Sequence, residues 1–250
     1  MIRRSIAVVL LSLSIGPGAW AASSVLVWPI FQTISANEKG SELWLENRGA
    51  SAVNLQLRIF GWDQKESRDV YADQSDVVAS PPFANVQPGQ RQLIRLMRVS
   101  PVASGEEKSY RIVIDEIPAA QPVKQTDKSS AGLNMRMRYV LPLFTYGQGA
   151  EPLKLESSVE PIRTSLNWSL SGQNLCINNA GNQHARLSSV YWSTSAGKPQ
   201  NEQTQGLLGY ILAKRRVCFP TPARAANASG MRLYAKLTDN SQAVEIPAAR

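Results

Sequence analysis

Between positions 133 and 139 apolar and polar residues alternate without interruption: Leu133, Asn134, Met135, Arg136, Met137, Arg138, Tyr139. A period of two assigns Leu133, Met135, Met137 and Tyr139 to one face of an extended strand, and Asn134, Arg136 and Arg138 to the other. Segments rich in β-branched, aromatic or alternating residues recur at 24–33, 41–46, 53–62, 77–86, 91–98, 109–116 and 135–143, each bounded by Gly, Pro, Asn or Ser. Helical spacing hardly occurs. Seven strands in about 120 residues predict an immunoglobulin-like sandwich, with turns at 47–51 and 87–90.

The pattern changes after Phe144. Residues 145–152, TYGQGAEP, are short and Gly-rich and read as a hinge. Beyond them shorter strand signals fall at 165–170, 174–178, 185–192, 208–212, 216–219, 230–237 and 243–246. The expected fold class is therefore all-β: two immunoglobulin-like β-sandwich domains joined by a short hinge, at 22–147 and 148–250. No repeat of fixed period and no low-complexity tract accompanies them.

The first 21 residues differ from everything that follows. Arg3 and Arg4 precede an apolar run from Ile6 to Leu13, and Ala19-Trp20-Ala21 ends the segment, the tripartite pattern of a secretory signal peptide. A transmembrane anchor would need roughly 20 apolar residues, and Gly16-Pro17-Gly18 interrupts this run. No later segment is long and apolar enough for membrane insertion, so the expected product is exported. Without residues 1–21 the chain carries 25 Lys and Arg against 19 Asp and Glu, a net charge of +6. Those basic residues sit singly or in short pairs such as Arg215-Arg216, without the basic stripe that binding to nucleic acid requires. In an oxidising compartment Cys176 and Cys218 can form one disulfide that closes a loop of about 40 residues, a stabilisation of about 3 to 4 kcal/mol.

Catalytic constellations are missing. There is no Gly-x-Ser-x-Gly elbow, no Gly-rich loop opening a helix and no His-Glu-x-x-His, and the single histidine, His184, follows Asn182 and Gln183 as a solvated loop histidine would. Two cysteines and one histidine at these spacings match no zinc pattern, so neither a metal nor another cofactor is expected. Asp115 and Glu116 are neighbours on a strand and point to opposite faces, which suits solvated charges at a strand end better than shared acid–base work. The chain does not read as an enzyme.

Four motifs in order carry a resemblance. They are Trp44-Leu45-Glu46-Asn47, then Ala79-Ser80-Pro81-Pro82-Phe83 with Val86-Gln87-Pro88-Gly89-Gln90-x-Gln92-x-Ile94-Arg95-Leu96, then Tyr110-Arg111-Ile112-x-Ile114-Asp115-Glu116-Ile117-Pro118, and a last strand ending Tyr139-Val140-Leu141-Pro142-Leu143-Phe144. In that order, behind a signal peptide, they resemble the N-terminal domain of periplasmic pilus-assembly chaperones of the chaperone-usher pathway. The resemblance covers residues 24–146 closely and the rest in outline.

It implies a function. Subunits of such pili resemble immunoglobulin domains without their last strand, and so expose an apolar groove and unpaired strand edges. The chaperone lends its own strand, here with Leu133, Met135, Met137 and Tyr139 lying in the groove of a pilin-type subunit, and passes the subunit to an outer-membrane usher. Methionine, with three rotatable bonds, can fit grooves of different shape. A rival register, with Asn134, Arg136 and Arg138 towards the subunit, stays open, as does the plain reading of the alternation as the core face of an internal strand. Family members also grip the subunit's terminal carboxylate with basic residues on the first and the donor strand. Here the first strand carries Trp28-Pro29 instead, as in the archaic branch, which leaves Arg138 and Arg95 as the carboxylate-anchor candidates. The alternatives are a secreted structural or adhesion subunit of a surface fibre, and a secreted enzyme or sugar-binding module.

Overall fold

The computed structural model describes residues 25–118, 136–152, 159–222, 230–238 and 241–249. Residues 1–21, read as a signal peptide, the segment 119–131, and Leu133 and Met135 lie outside them. In chain order the first ten strands are β1 (Val25–Trp28), β2 (Gln32–Ile34), β3 (Gly40–Asn47), β4 (Val53–Lys65), β5 (Arg68–Ala72), β6 (Val77–Ser80), β7 (Phe83–Val86), β8 (Arg91–Arg98), β9 (Glu107–Ile117) and β10 (Arg138–Tyr146). They form two sheets, one ordered β1-β3-β8-β6 and the other β2-β10-β9-β4-β5 with β7 added beside β4.

Alternation makes the sandwich. Along β3, Leu43, Leu45 and Asn47 are buried while Glu42, Trp44 and Glu46 face outward, and β8 and β9 repeat the pattern with Ile94 and Leu96, and with Tyr110, Ile112 and Ile114. These inward residues, joined by Val25, Val27, Leu55, Leu57, Leu141 and Leu143, fill the space between the sheets. At roughly 25 cal/mol for each Å² of apolar surface removed from water, this layer is the main stabilisation of the first sandwich.

Two expected strands are each split in two. The segment 24–33 is divided between β1, in the first sheet, and β2, which runs parallel to β10 in the second. The segment 77–86 is likewise divided between β6 and β7, in different sheets. In each case a proline follows the first piece, Pro29 or Pro81, and lacks the N–H that would continue the ladder. One strand had no signal in the sequence: β5 is exposed along its whole length and returns from β4 through Glu66 and Ser67, with φ of 50° and 62°.

The second sandwich follows a short helix, α1 (Val159–Ser165). Its strands are β11 (Leu166–Ser171), β12 (Asn174–Asn179), β13 (Ala185–Ser193), β14 (Asn201–Ile211), β15 (Arg216–Pro220), β16 (Arg232–Lys236) and β17 (Val244–Ile246). Sheets β11-β12-β15 and β14-β13-β16-β17 enclose a separate core that includes Ile177, Leu187, Trp192 and Leu233. Cys176 and Cys218 face each other across β12 and β15 and are joined in a disulfide.

A third apolar cluster ties the sandwiches together. Trp62, Phe144 and Tyr146 of the first pack with Ala150 and Leu212, and Phe31 and Tyr210 lean against them. Gly147 stands in the stretch read as a hinge, and a Cβ there would lie 1.8 Å from the Ala103 carbonyl oxygen, so only glycine lets the chain pass so close. Among the described residues no helix is long and apolar enough to cross a membrane.

Candidate functional site

β10 is half covered. Along its full length it pairs with β9, from Arg138 opposite Asp115 to Tyr146 opposite Glu107. On its other side, among the described residues, β2 covers 143–145 only, so the backbone polar groups of 138–142 on that side form an open edge. In the facing sheet β1 is also terminal among the described strands, paired with β3. The Tyr139 hydroxyl donates to the Val25 carbonyl at 2.9 Å and so brings these two open edges together on one side of the sandwich.

Tyr139 is half-buried and packs on the first core, in line with Leu141 and Leu143. Met137 shares its parity and is 42% exposed, and hydrogen bonds with Glu116 continue the β9 ladder past it. The described part of the alternating face thus runs from Tyr139, on the sandwich core, to the exposed Met137. Val140, 46% exposed, projects from the opposite face with Arg138.

The two arginine candidates are not brought together. Arg138 lies on the outer face of the β10 sheet, whereas Arg95 is exposed between core residues Ile94 and Leu96 on the outer face of the other sheet, so the sandwich separates them. Asp115 is no solvated end charge. One of its oxygens accepts from Arg138 Nε and the other from Arg58 Nη2 at 2.7 Å. Burial pushes the Asp115 carboxyl up, but the hydrogen bonds from Arg138 and Arg58 outweigh it and hold the group below the ordinary carboxylate range. Arg58 was not singled out in the sequence, since 57 residues separate it from Asp115 and no local pattern links them.

His184 corrects a sequence expectation. It is fully buried between the sandwiches, with its ring stacked on Phe144 at 3.6 Å and 6°. Its Nδ1 lies 2.8 Å from Glu107 Oε2, and its backbone N–H donates to Oε1 at 3.0 Å. A carboxylate opposite Nδ1 places the ring proton there. Nearby, Arg215 pairs with Asp63 at 2.6 Å, Gln64 bridges to the Tyr210 carbonyl and the Leu212 N–H, and the Cys218 N–H donates to Ser67 Oγ. The hydrogen bond from Arg215 holds the Asp63 carboxyl below its usual range. Together these contacts hold the angle at which the sandwiches meet. Among the described residues no three His, Cys, Asp or Glu side chains are grouped to hold a metal ion.

An all-β chain of two immunoglobulin-like sandwiches, with one strand left open at its edge, defines a class. Residues 32–149 match the family model of the pili and flagellar-assembly chaperones, PapD N-terminal domain. It is 29% identical, with a TM-score of 0.70, to a chain of the CsuC-CsuE chaperone-tip adhesion subunit pre-assembly complex from archaic chaperone-usher Csu pili of Acinetobacter baumannii, over 91% of this chain and 100% of that one. The E. coli chaperone DraB shares the fold at 18% identity and a TM-score of 0.64, over 91% of this chain and 97% of its own. A chain of the Salmonella enterica SafA pilin–SafB chaperone complex does so at 15% and 0.63, with the same coverage. No curated protein matches in sequence. The chain is thus similar to pilus chaperones of the chaperone-usher type.

Proposed function

We propose that this chaperone works in the periplasm, where it captures pilin-type subunits by donor-strand complementation, holds them folded and capped, and delivers them to an outer-membrane usher. The observation that carries the reading is the open edge of β10 at 138–142, beside the open edge of β1. An unpaired edge of this kind is a template for another strand. By the period of two in the sequence, Leu133, Met135, Met137 and Tyr139 share the apolar face of the donor segment, so a subunit groove laid over it would extend the chaperone's own core into the subunit. The Csu relative was crystallised as a pre-assembly complex with a tip adhesion subunit, which favours a subunit as the partner here. On this reading residues 1–21 are the signal peptide, 22–147 the subunit-binding domain and 148–250 the second wall of the cleft.

The assignment rests on backbone pairing first and on side chains second. Main-chain hydrogen bonds to an edge do not depend on the subunit's sequence, while the flexible methionines adapt to its groove. Co-expression with an aggregating pilin-like subunit tests it. The expected result is a soluble one-to-one complex, lost when Met135→Asp and Met137→Asp are combined although circular dichroism shows the free protein still folded. A complex that forms undiminished with the double variant overturns the donor-strand reading.

A further inference from the structure

The sheet that holds β10 ends, on its far side, in β5. All five residues of β5 are exposed, and among the described residues it pairs with β4 alone. A strand that buries no side chain in the core adds little to stability, yet it presents unpaired backbone donors and acceptors along one side. Edges of this kind are blunted by charge, and here the charge is unevenly placed.

In the β4–β5 hairpin Lys65 stands opposite Arg68 and Asp63 opposite Val70, so these four side chains share one face, with Ala72 further along it. Ser67, in the turn, accepts the Cys218 N–H at 2.9 Å, which sets the turn against β15 with Arg216 two residues away on that strand. Lys65, Arg68 and Arg216 are exposed and make no ion pair with a described residue, whereas Arg215 is neutralised by Asp63. Acids are few here. Glu66 lies in the turn, and Asp73 lies just past the other end of β5, both exposed. Asp69 points to the opposite face, where Gln64, Tyr71 and Arg111 hold it. The turn end therefore carries three free cations against one free carboxylate, while the Asp73 end is acidic.

We propose that the open edge of β5 docks an extended acidic segment of a second protein, which adds antiparallel to β5 and sets two internal carboxylates, on alternate residues, against Lys65, Arg68 and Arg216. Backbone pairing supplies affinity whatever the sequence. The face that carries Arg68, Val70 and Ala72 supplies the choice: acids beside the turn, β-branched apolar residues beside Val70 and Ala72, and no acid beside Asp73. A second copy of this chain fits less well. Two-fold pairing of β5 would offer each turn one free acid, the partner's Asp73, against three cations, and a five-residue edge is short for the roughly 1,000 Å² that a stable dimer needs. The site shares no residue with the open edge of β10 and does not depend on subunit capture.

Peptide titration of the full mature chain, followed by nuclear magnetic resonance, tests the proposal. The probe is acetyl-Thr-Val-Thr-Val-Thr-Glu-Thr-Glu-amide, blocked at both ends so that only internal carboxylates count, with versions carrying Gln or Lys in place of both Glu. The Glu peptide is expected to bind and to shift the amide signals of β5, and the Gln peptide to bind about fivefold more weakly, since each exposed ion pair adds a small increment. Lys65→Glu with Arg68→Glu should reverse the order, so that the Lys peptide binds better than the Glu peptide. If that variant does not fold, Arg68→Gln alone is read and should at least halve the preference for Glu over Gln. N-methylation of alternate residues, in two peptides that cover both sets, should abolish binding in one of them, the set whose N–H groups pair with β5. Equal binding of the Glu and Gln peptides, indifference to both N-methylations, an unreversed order in the charge-swapped variant, or no binding of the Glu peptide overturns the proposal. So does binding that is lost in Met135→Asp with Met137→Asp, which puts the peptide on β10. Vesicles of phosphatidylglycerol that bind the chain when the peptides do not make the patch a membrane contact, and a dimer that Arg68→Glu dissolves gives the edge to a second copy; either result overturns it as well.

Discussion

Substituting His184 by Phe would keep its stacking on Phe144 and remove only its ring nitrogens. Both side chains of the His184–Glu107 pair are fully buried, so the substitution leaves the Glu107 carboxylate with the backbone N–H of position 184 as its remaining partner in this pair. Breaking a buried pair from one side costs about 3 to 5 kcal/mol, a large share of the 5 to 15 kcal/mol that holds a typical domain together. Removing the charge as well should restore most of that. In His184→Phe with Glu107→Gln the amide oxygen still accepts the backbone N–H. The amide nitrogen meets the neighbouring Tyr146 hydroxyl, the side chain that Glu107 already faces. Burial, and then the Glu107 charge, push the Tyr146 hydroxyl well above the usual phenol range, which marks how close the two groups are. The double variant should therefore sit about 1 to 2 kcal/mol below wild type, above the single variant. Guanidinium unfolding followed by tryptophan fluorescence reads the difference, because Trp62 lies in the same interface. A double variant no more stable than the single would refute the reasoning and mean that ring shape, not charge, governs this contact.

Two further outcomes follow from the interface and the disulfide. Because its folded-state pKa is depressed, Asp63 contributes stability in full above its unfolded value near 3.9, and loses it as pH falls through the lower folded value. The melting-temperature gap between wild type and Asp63→Asn should therefore narrow as the pH falls below about 4, and the effect is small, below about 1 kcal/mol, since both partners are over a third exposed. A gap that widens on acidification contradicts the assignment. Reduction of Cys176–Cys218 reopens a loop of sequence separation 42 and should destabilise the second sandwich by about 4 kcal/mol in the chain-entropy account, with the unfolding of the first little changed. Differential scanning calorimetry with and without dithiothreitol checks this, and an equal loss in both sandwiches contradicts it.

The sequence by itself determined the class of fold. Alternation is a local property, and each of β3, β4, β8 and β9 declares its inner face through residues two apart. The same period puts Met137 and Tyr139 on one face, and the ordered motifs carry the resemblance to the family whose model matches 32–149. What required the tertiary structure were relations between distant residues. Proline explains where 24–33 and 77–86 break, but only pairing decides that the second piece joins the opposite sheet. β5 has no apolar face, so it exists through its hairpin with β4 alone. His184 looks polar and loop-like among its sequence neighbours, and is buried because Phe144 and Glu107 arrive from another sandwich. Arg58, Asp115 and Arg138 meet across three adjacent strands. Periodicity fixes which way a side chain points, whereas its charge partner and its solvent depend on which strand lies alongside, and that is settled by the global competition to bury apolar surface.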